Sequence, residues 1–258
     1  MFLVSKRYRD VIYYKAKVHL RSEASKTYLS FLWWILEPLI SLGIYYLVFG
    51  VILQKGTEDF VAFLLIGLVT WQWFANSVSH CSSSINNNLA LIAQVSFPKI
   101  ILPSINIFID AFKFFIVFII LLLFLWWYGF MPGSAYMYLP LVLLAQHLFN
   151  TAISNLVAAI VPFVPDMQVI IGNLLRAMMY LSGILYSIER LPPSIQEYFY
   201  YNPMAVIIDW YRLILMHNQA PALDAILYFI AITFALVFLS HYLMKKLDST
   251  YPRVLMQK

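Results

Sequence analysis

Residues 166–215 decide the fold; they read DMQVIIGNLLRAMMYLSGILYSIERLPPSIQEYFYYNPMAVIIDWYRLIL. An apolar run long enough to cross a bilayer ends at residues 188–193, IERLPP. Two short aromatic amphipathic segments follow, separated at Asn202-Pro203, and each is too short to cross back. The stretch therefore predicts a membrane span followed by a pair of half-length, re-entrant helices over residues 193–216.

The composition places the whole chain in a membrane. The 258 residues are 62% hydrophobic and only 11% charged, which is more apolar surface than a soluble domain of this length can bury. The net charge of +5 does not indicate nucleic-acid binding, because the basic residues cluster beside the apolar runs. Cys81 is the only cysteine, so an intrachain disulfide is excluded.

The apolar runs predict an all-α integral membrane protein with six transmembrane helices. The predicted spans are residues 31–53, 60–80, 104–129, 135–161, 168–188 and 223–244. Together with the half-helices they form one transmembrane domain over residues 31–258. Residues 1–30 carry seven Lys or Arg, with Val4, Tyr8, Val11 and Ile12 at helical spacing between them. They predict an amphipathic helix in the cytoplasmic interface, the alternative being a solvated basic arm.

Lysine and arginine fix the predicted orientation. Twelve of the 17 lie in the N-terminal arm, at Lys99 or in the C-terminal tail, and three lie in the opposite loops. The positive-inside rule then places both termini in the cytoplasm, which requires an even number of spans.

Four charged residues fall in the interior of predicted spans. Glu37 precedes Pro38 in the first span, and Asp110 and Lys113 lie three residues apart in the third. We expect Asp110 and Lys113 to neutralise each other as a structural pair, with a proton relay as the alternative. Arg176, in the fifth span, should face either a wet cavity, where it could meet an anionic group such as a lipid phosphate, or a partner such as Glu37 or a backbone carbonyl.

Asn202-Pro203 predicts the start of a helix, because Asn caps helices and Pro fits the first turn. The expected product is an interfacial helix on the outer side, acting as a gate or as an ordinary amphipathic cap. One of its faces carries the apolar residues Met204, Ile207, Ile208, Tyr211 and Leu215, and another carries Asp209 and Arg212. The many tryptophans near span ends, Trp73 among them, belong to an aromatic belt or stack on sugar rings.

The chemistry of an enzyme is missing from the sequence. The five histidines show no metal-ligand spacing, and no nucleophile triad or paired carboxylates can be argued. No Gly-x-x-x-x-Gly-Lys-Ser/Thr motif occurs, so an ATP-driven role needs a separate subunit.

Four stretches carry a resemblance to a known family. They are YLSFLWWILEP at 28–38, WQWFANS at 71–77 with FPK at 97–99 and Pro103, SGILY at 182–186 with Leu191-Pro192, and YNPM at 201–204. With these motifs in this order, the chain resembles the permeases of type-2 ABC exporters, most closely the Wzm-like polysaccharide branch that exports lipid-linked O-antigen.

The resemblance implies a homodimer in the bacterial cytoplasmic membrane, bound to two copies of a P-loop ATPase subunit that holds ATP and Mg²⁺. This chain would carry no cofactor or metal of its own. Contacts to the ATPase would involve the N-terminal helix and the 86–100 loop, with Gln94, Phe97 and Lys99, and also Asp166. Channel and substrate contacts would involve Trp73, Asn76, Arg176 and Tyr180. Gate residues would be Tyr186, Asn202, Pro203 and Tyr211.

Two alternatives stay open, one within the ABC class and one outside it. Within the ABC class the cargo could be a teichoic acid, a capsular glycan, a drug or a small lipid. Outside it, an ATP-independent secondary transporter or channel would use the intramembrane charges Glu37, Asp110, Lys113 and Arg176 to handle ions. A polytopic membrane enzyme would need a catalytic carboxylate or histidine cluster, which the sequence does not offer.

Overall fold

The computed structural model describes residues 6–26, 32–52, 59–164, 166–188 and 192–256, and all regular structure within these ranges is helical. The ends of the predicted interface helix (1–5 and 27–30) and of the first span (31 and 53) lie outside the described residues. The α-helices are α1 Lys6–Lys26, α2 Leu32–Tyr45, α3 Phe60–Ser82, α4 Leu89–Gln94, α5 Ile101–Tyr128, α6 Leu139–Ile160, α7 Met167–Tyr180, α8 Pro193–Phe199, α9 Pro203–Leu215, α10 Leu223–Leu247 and α11 Tyr251–Met256. A π-helical turn, Tyr46–Ile52, continues α2, and 3₁₀ turns Asn86–Asn88 and Ser134–Tyr138 precede α4 and α6.

Five helices in the described residues are long and apolar enough to cross a membrane. They are α2 with its π-helical continuation, α3, α5, α6 with its preceding turn, and α10. The predicted all-α membrane class is thus confirmed, whereas the count of six spans is not. The fifth predicted span, 168–188, is helical only to Tyr180, and a 14-residue helix is about 21 Å long against a hydrocarbon core of about 30 Å.

The helix α7 stops where Gly183 adopts a left-handed conformation (φ +64°). Ser182, Gly183, Ile184, Leu185 and Ile188 then continue as an irregular but buried segment. Asn202, at the start of α9, donates to the carbonyl of Leu181, so α7 and residues 181–188 together lead the chain to the end of the bundle where α9 lies.

One end of the bundle, which we call the α1 end, gathers α1, α4 and α11. Ile12 and Ala16 of α1 are buried against Ile101, Ile105 and Ile109 of α5. Tyr251 of α11 is buried and donates to the carbonyl of Ala159 (3.4 Å), close to where α6 ends. Both ends of the described chain therefore lie at the same end of the bundle.

The apolar face of α1 differs from the predicted one. Ile12 is buried and Tyr8 packs beside it, whereas Val11 is 40% exposed. The buried face runs through Ile12 and Ala16, one helical turn apart, because these side chains meet α5. Val4 lies outside the described residues.

The central helix is α3. In its most apolar stretch 78% of the residues are buried, compared with 6% for α2. It contacts α2, α5, α6, α7 and α9. A helix that is apolar all round can be buried all round, whereas the outward residues of α2 and its π-helical continuation, such as Ile44 and Leu47, suit lipid or another protein surface.

Candidate functional site: a polar cavity and a buried arginine cluster

A polar cavity of about 500 Å³ lies between the end of α1 and helices α2, α3 and α5. The residues that line it are Glu23, Trp33, Trp34, Glu37, Ile40, Ser41, Val69, Gln72, Trp73, Asn76, His80, Asp110, Lys113, Phe114 and Val117. Amides, carboxylates, a hydroxyl and indoles converge there within helices that are otherwise apolar. Such a concave site with few polar groups among aromatic walls is typical of ligand binding.

Lys113 is held by α1 rather than by its own helix. Its Nζ donates to Glu23 Oε1 at 2.7 Å and lies 5.2 Å from the centre of the Trp34 ring. The Trp34 indole also donates to Glu23, at 3.4 Å. This ion pair ties the interface helix to α5 across the mouth of the polar cavity.

Asp110 likewise has a partner on another helix. His80 Nδ1 of α3 donates to both of its carboxylate oxygens, at 2.9 and 3.0 Å, and Asp110 itself is buried. The predicted pair between Asp110 and Lys113 is therefore wrong. Side chains three apart on a helix can meet, but here each one bonds to a partner on a neighbouring element.

Trp73 forms the aromatic wall of the cavity. It is buried and stacks on Phe114, with ring centroids 4.0 Å apart and planes at 13°. Its indole nitrogen is buried without a hydrogen-bond partner among the described residues. Buried N–H donors are nearly always paired, but this nitrogen is an unsatisfied donor in the wall of the cavity. Asn76 lies one helical turn along the same wall.

Arg176 and Tyr180, the other predicted channel residues, do not line this cavity. Both are exposed on α7, and Arg176 donates to Asn173 of its own helix at 2.5 Å. Glu37 lines the polar cavity instead of pairing with Arg176. Of the four predicted channel residues, Trp73 and Asn76 therefore line the polar cavity, whereas Arg176 and Tyr180 lie on the exposed surface of α7.

At the opposite end, which we call the α9 end, Asn202 and Pro203 begin α9. The Asn202 side chain accepts from the Met204 N–H (3.0 Å), and its amide donates to the Leu181 carbonyl (3.0 Å) and the Ser182 hydroxyl (2.9 Å). The Tyr186 hydroxyl donates to the Tyr180 carbonyl (2.8 Å). These contacts join the start of α9 to the irregular segment that follows α7.

Most of α9 is inside the bundle instead of on its outer surface. Met204, Ile207, Ile208 and Tyr211 are fully buried, and Tyr211 packs edge-on against Phe118 of α5. The expected apolar face is therefore the one that packs, and it packs against other helices of the bundle. Of the two charged residues expected on the other face, Arg212 is buried and Asp209 is half-buried.

Arg212 is the centre of what we call the arginine cluster. Its Nη1 donates to the Gly183 carbonyl (2.8 Å), and its Nη2 donates to the carbonyls of Ile184 and Phe63 (both 3.2 Å). The guanidinium also lies 3.3 Å from the centre of the Phe63 ring. Gly67 makes room for it, because a Cβ at Gly67 would lie 2.9 Å from Nη2. The cluster fixes α9 to α3 and to residues 183–184.

Comparison with known proteins identifies the family. Residues 24–216, most of the chain, match the model of the ABC-2 type transporter family. The chain belongs to the ABC-2 type transporter family. It is 27% identical over 223 residues to the O-antigen export system permease protein RfbA of Klebsiella pneumoniae, covering 86% of each chain. It is 26% identical over 233 residues to the protein of the same name from Myxococcus xanthus, covering 90% of each. The polysialic acid transport protein KpsM of Escherichia coli is 24% identical over 196 residues, which are 75% of this chain and 76% of that one.

In this ABC-2 chain, the predicted ATPase-contact residues differ in exposure. Gln94 and Asp166 are exposed, and Phe97 is half-buried. Lys99 is buried; its backbone N–H donates to Asp248 Oδ1 (2.7 Å) and its Nζ donates to Oδ2 (3.5 Å). Lys99 therefore holds the α4 segment against the end of α10, and the surface open to a partner is formed by its neighbours from Gln94 to Ser96.

Sequence reasoning missed Arg212 and Glu23 in this ABC-2 chain. The positive-inside count places Arg212 among the three basic residues of the loops opposite the cytoplasm, and no motif points to Glu23. The signal for Arg212 was a lone cation within PMAVIIDWYRLIL, since a cation in so apolar a helix must find several oxygen acceptors. Glu23 carried no such signal, because its partner is 90 residues away.

Proposed function

We propose that this chain is the membrane-spanning permease of an ABC exporter that moves a lipid-linked polysaccharide, of the O-antigen kind, across the bacterial cytoplasmic membrane. The relatives named as O-antigen export permeases support this cargo, since they align along 86% or more of both chains. The polar cavity is the structural observation that carries the proposal. Exposed Trp33, with Gln72, Asn76 and Ser41 in the same lining, offers the apolar face and hydrogen bonds that a sugar chain requires, and the buried pair Trp73 and Phe114 supports the wall.

The energy source is a separate ATPase subunit that holds ATP and Mg²⁺. Family membership supports it, and the chain has no phosphate-binding P-loop sequence. The α1 end faces the cytosol, because the basic N-terminal arm, Lys99 and the basic tail belong to it. There, exposed Gln94 and Asp166 are available to the ATPase.

The working unit is a homodimer with two ATPase subunits. The apolar outward faces of α2 and α7, with Ile44, Leu47, Val169 and Leu174 each more than half exposed, supply surface for a second copy around a common path. In that arrangement Arg176 and Tyr180 of α7 contact the cargo, and Tyr186, Asn202, Pro203 and Tyr211 belong to the gate at the α9 end.

The intramembrane charges favour ATP over a proton gradient as the driving force. Asp110 and Lys113 each have a hydrogen-bonding partner, so a structural role accounts for both. A secondary transporter predicts that export stops when the proton gradient is collapsed and continues without the ATPase. We expect export to continue when the proton gradient is collapsed and to stop without the ATPase.

Purification of the tagged chain in mild detergent tests the assembly. The expected product contains a P-loop ATPase in equal amount, with a mass that fits two copies of each subunit. Vesicles that contain this complex should then move radiolabelled lipid-linked polysaccharide when ATP is added. Export of a teichoic acid, capsular glycan or drug in its place would correct the cargo, and absence of any ATPase partner would refute the exporter.

A further inference from the structure

A second concavity, of about 680 Å³, lies beside the polar cavity on the outward side of α1, α2 and α5, and we call it the apolar groove. Its floor consists of aliphatic and aromatic side chains, chiefly Leu32, Ile35, Phe108, Phe112 and Ile116. Leu32 and Phe112 are nearly half exposed. Since Leu32 and Ile35 begin the first membrane span, the groove is continuous with the lipid-facing surface.

The rim of the groove is basic. Tyr13, Lys17 and Arg21 line it from α1 and are spaced four residues apart, so they lie on one face of that helix. The Tyr13 ring packs edge-on against Phe108, which joins the rim to the floor. Both cations are exposed, and neither has a carboxylate within ion-pair distance among the described residues. The groove lining contains no acidic side chain.

The two cavities have opposite electrostatic character, although Trp34 lines both. Three carboxylates, of Glu23, Glu37 and Asp110, line the polar cavity together with Lys113 and His80. Lys113 pairs with Glu23 and His80 with Asp110, so Glu37 is left as an additional negative charge and the cavity disfavours a phosphate. Two unpaired cations line the groove and favour one. On the groove's floor, Phe108 and Ile116 are about 12 Å apart along α5 at 1.5 Å per residue, which is the direction from the interface into the hydrocarbon core.

We infer that the apolar groove binds one anionic phospholipid of the surrounding leaflet. Its phosphate lies between Lys17 and Arg21, and an acyl chain lies along Ile35, Phe112 and Ile116. The bound lipid connects α1 to α2 and α5, and so supports the interface helix from the side opposite the Glu23–Lys113 ion pair. The site is independent of which polysaccharide is exported.

Native mass spectrometry of the full-length chain, in the complex that it forms, tests the inference by titration with phosphatidylglycerol or phosphatidylcholine. We expect one tightly bound phosphatidylglycerol per chain and weaker, non-saturating phosphatidylcholine. The double variant Lys17→Ala/Arg21→Ala should weaken phosphatidylglycerol binding about tenfold or more, because each cation near a headgroup contributes to anionic-lipid affinity. The matched control Lys245→Ala/Lys246→Ala removes the same charge from exposed positions at the end of α10, outside the groove lining, and should bind as wild type. Equal loss in both variants, or equal affinity for the two lipids, would overturn the site.

Fluorescence quenching locates the lipid without depending on the rim variants. Phosphatidylglycerol with brominated acyl chains should quench Trp34, measured as the difference between wild type and Trp34→Phe. The variant Ile116→Trp/Trp34→Phe carries the reporter on the groove floor instead and should also be quenched. Quenching at neither position refutes the site. Displacement of phosphatidylglycerol by a polyprenyl diphosphate at lower concentration would assign the groove to the exported lipid and would equally overturn the proposal.

Discussion

The two ends of this permease each hold a cation among apolar helices, and they stabilise it in different ways. Near the α1 end, Lys113 is paired with a carboxylate from α1, a helix that packs on the bundle from outside. At the α9 end, Arg212 is buried and bonded to three backbone carbonyls. The partner of Lys113 can titrate and belongs to a separate outer helix, whereas the partners of Arg212 are backbone carbonyls that do not titrate.

This difference separates an adjustable region from a fixed one. Release of α1 requires that one partly exposed ion pair, the bond from Trp34 to Glu23 and the apolar contact with α5 be broken. Movement of α9 requires that three carbonyls lose a charged donor inside the bundle, which is much more costly. We therefore expect α9 to move together with residues 181–184 and the start of α3 as one unit, while α1 responds separately.

The largest effect is expected from Arg212→Met. The change leaves the buried carbonyls of Gly183 and Ile184 without this donor and removes an additional donor from Phe63, whose carbonyl also belongs to the hydrogen-bond ladder of α3. At about 1–3 kcal/mol for each unsatisfied carbonyl, the loss of stability should reach several kcal/mol. Thermal unfolding in detergent can be followed with a thiol-reactive dye, because Cys81 is the only cysteine and is buried. Arg212→Lys should be almost as unstable as Arg212→Met, since an ammonium group lacks the planar fork of a guanidinium and cannot reach all three carbonyl oxygens.

Arg176→Met is the matched control for Arg212→Met. It removes an arginine that is exposed and donates to one side chain of its own helix, so its unfolding temperature should equal that of the wild type. If both variants unfold like the wild type, Arg212 does not hold the α9 end together. Because we propose that Arg176 contacts the cargo, export by Arg176→Ala should fall while the complex still assembles.

A smaller effect is expected from Gly183→Ala. An alanine at φ +64° is strained, and its Cβ would lie 2.9 Å from Ile188 Cγ1. The combined cost should be about 1–3 kcal/mol. In the same unfolding assay, Gly183→Ala should cost less stability when it is introduced into Ile188→Ala than when it is introduced into the wild type. The second substitution removes the clash with Ile188 but leaves the strain of an alanine at positive φ.

Gly172→Ala provides the control for Gly183→Ala. Gly172 lies within α7, and a Cβ there would meet nothing within 4 Å. Alanine in a helix interior is favoured over glycine, so this variant should be as stable as the wild type or slightly more. A Gly183→Ala variant that behaved like Gly172→Ala would show that the 181–184 segment adapts freely.

More of the helical architecture than of the side-chain packing could be predicted from the sequence. Long apolar runs predict membrane helices because lipid requires continuous apolar surface, and α2, α3, α5, α6 and α10 follow. The early end of α7 could not be predicted in this way. It depends on the left-handed Gly183 and on bonds from Asn202, which is 21 residues after its acceptor at Leu181.

The candidate site could be predicted only where the chemistry is local. Asn202 as a helix cap follows from its place before Pro203, and the structure shows that bond. The pairing of Asp110 and Lys113 also looked local, but their partners come from α3 and α1. Charge alone therefore identified groups that need partners, while the choice of partner depended on tertiary contacts.

The Glu23–Lys113 ion pair should give a smaller effect than either change at the α9 end. Its side chains are 38% and 20% exposed, so a double-mutant cycle of Glu23→Gln and Lys113→Met should yield a coupling of about 1 kcal/mol. Hydrogen exchange of α1 is the sensitive measurement, with the α9 amides unchanged. Lys15→Gln combined with Lys113→Met is the control cycle and should show no coupling, because Lys15 is exposed on α1 and lies eight residues from Glu23. A coupling as large as the Arg212 effect would contradict the division into fixed and adjustable ends.

The smallest expected effect is a response of α1 to acid that α9 does not share. Burial alone would raise the pKa of Glu23, but the hydrogen bond and charge of Lys113, with a bond from Trp34, outweigh burial and leave the pKa below its ordinary value. A carboxyl with a lowered pKa contributes stability above its unfolded pKa of about 4.3, and this contribution is lost as the pH falls through the folded value. Hydrogen-exchange protection of α1 should thus decline below about pH 4, measured against α9, whose guanidinium–carbonyl bonds do not titrate. Glu37, Asp110 and His80 share the cavity, so the acid response that belongs to Glu23 is the difference in protection between the wild type and Glu23→Gln. If protection of α1 declines identically in Glu23→Gln, the acid response comes from the other cavity groups and the Glu23–Lys113 ion pair has no role in it.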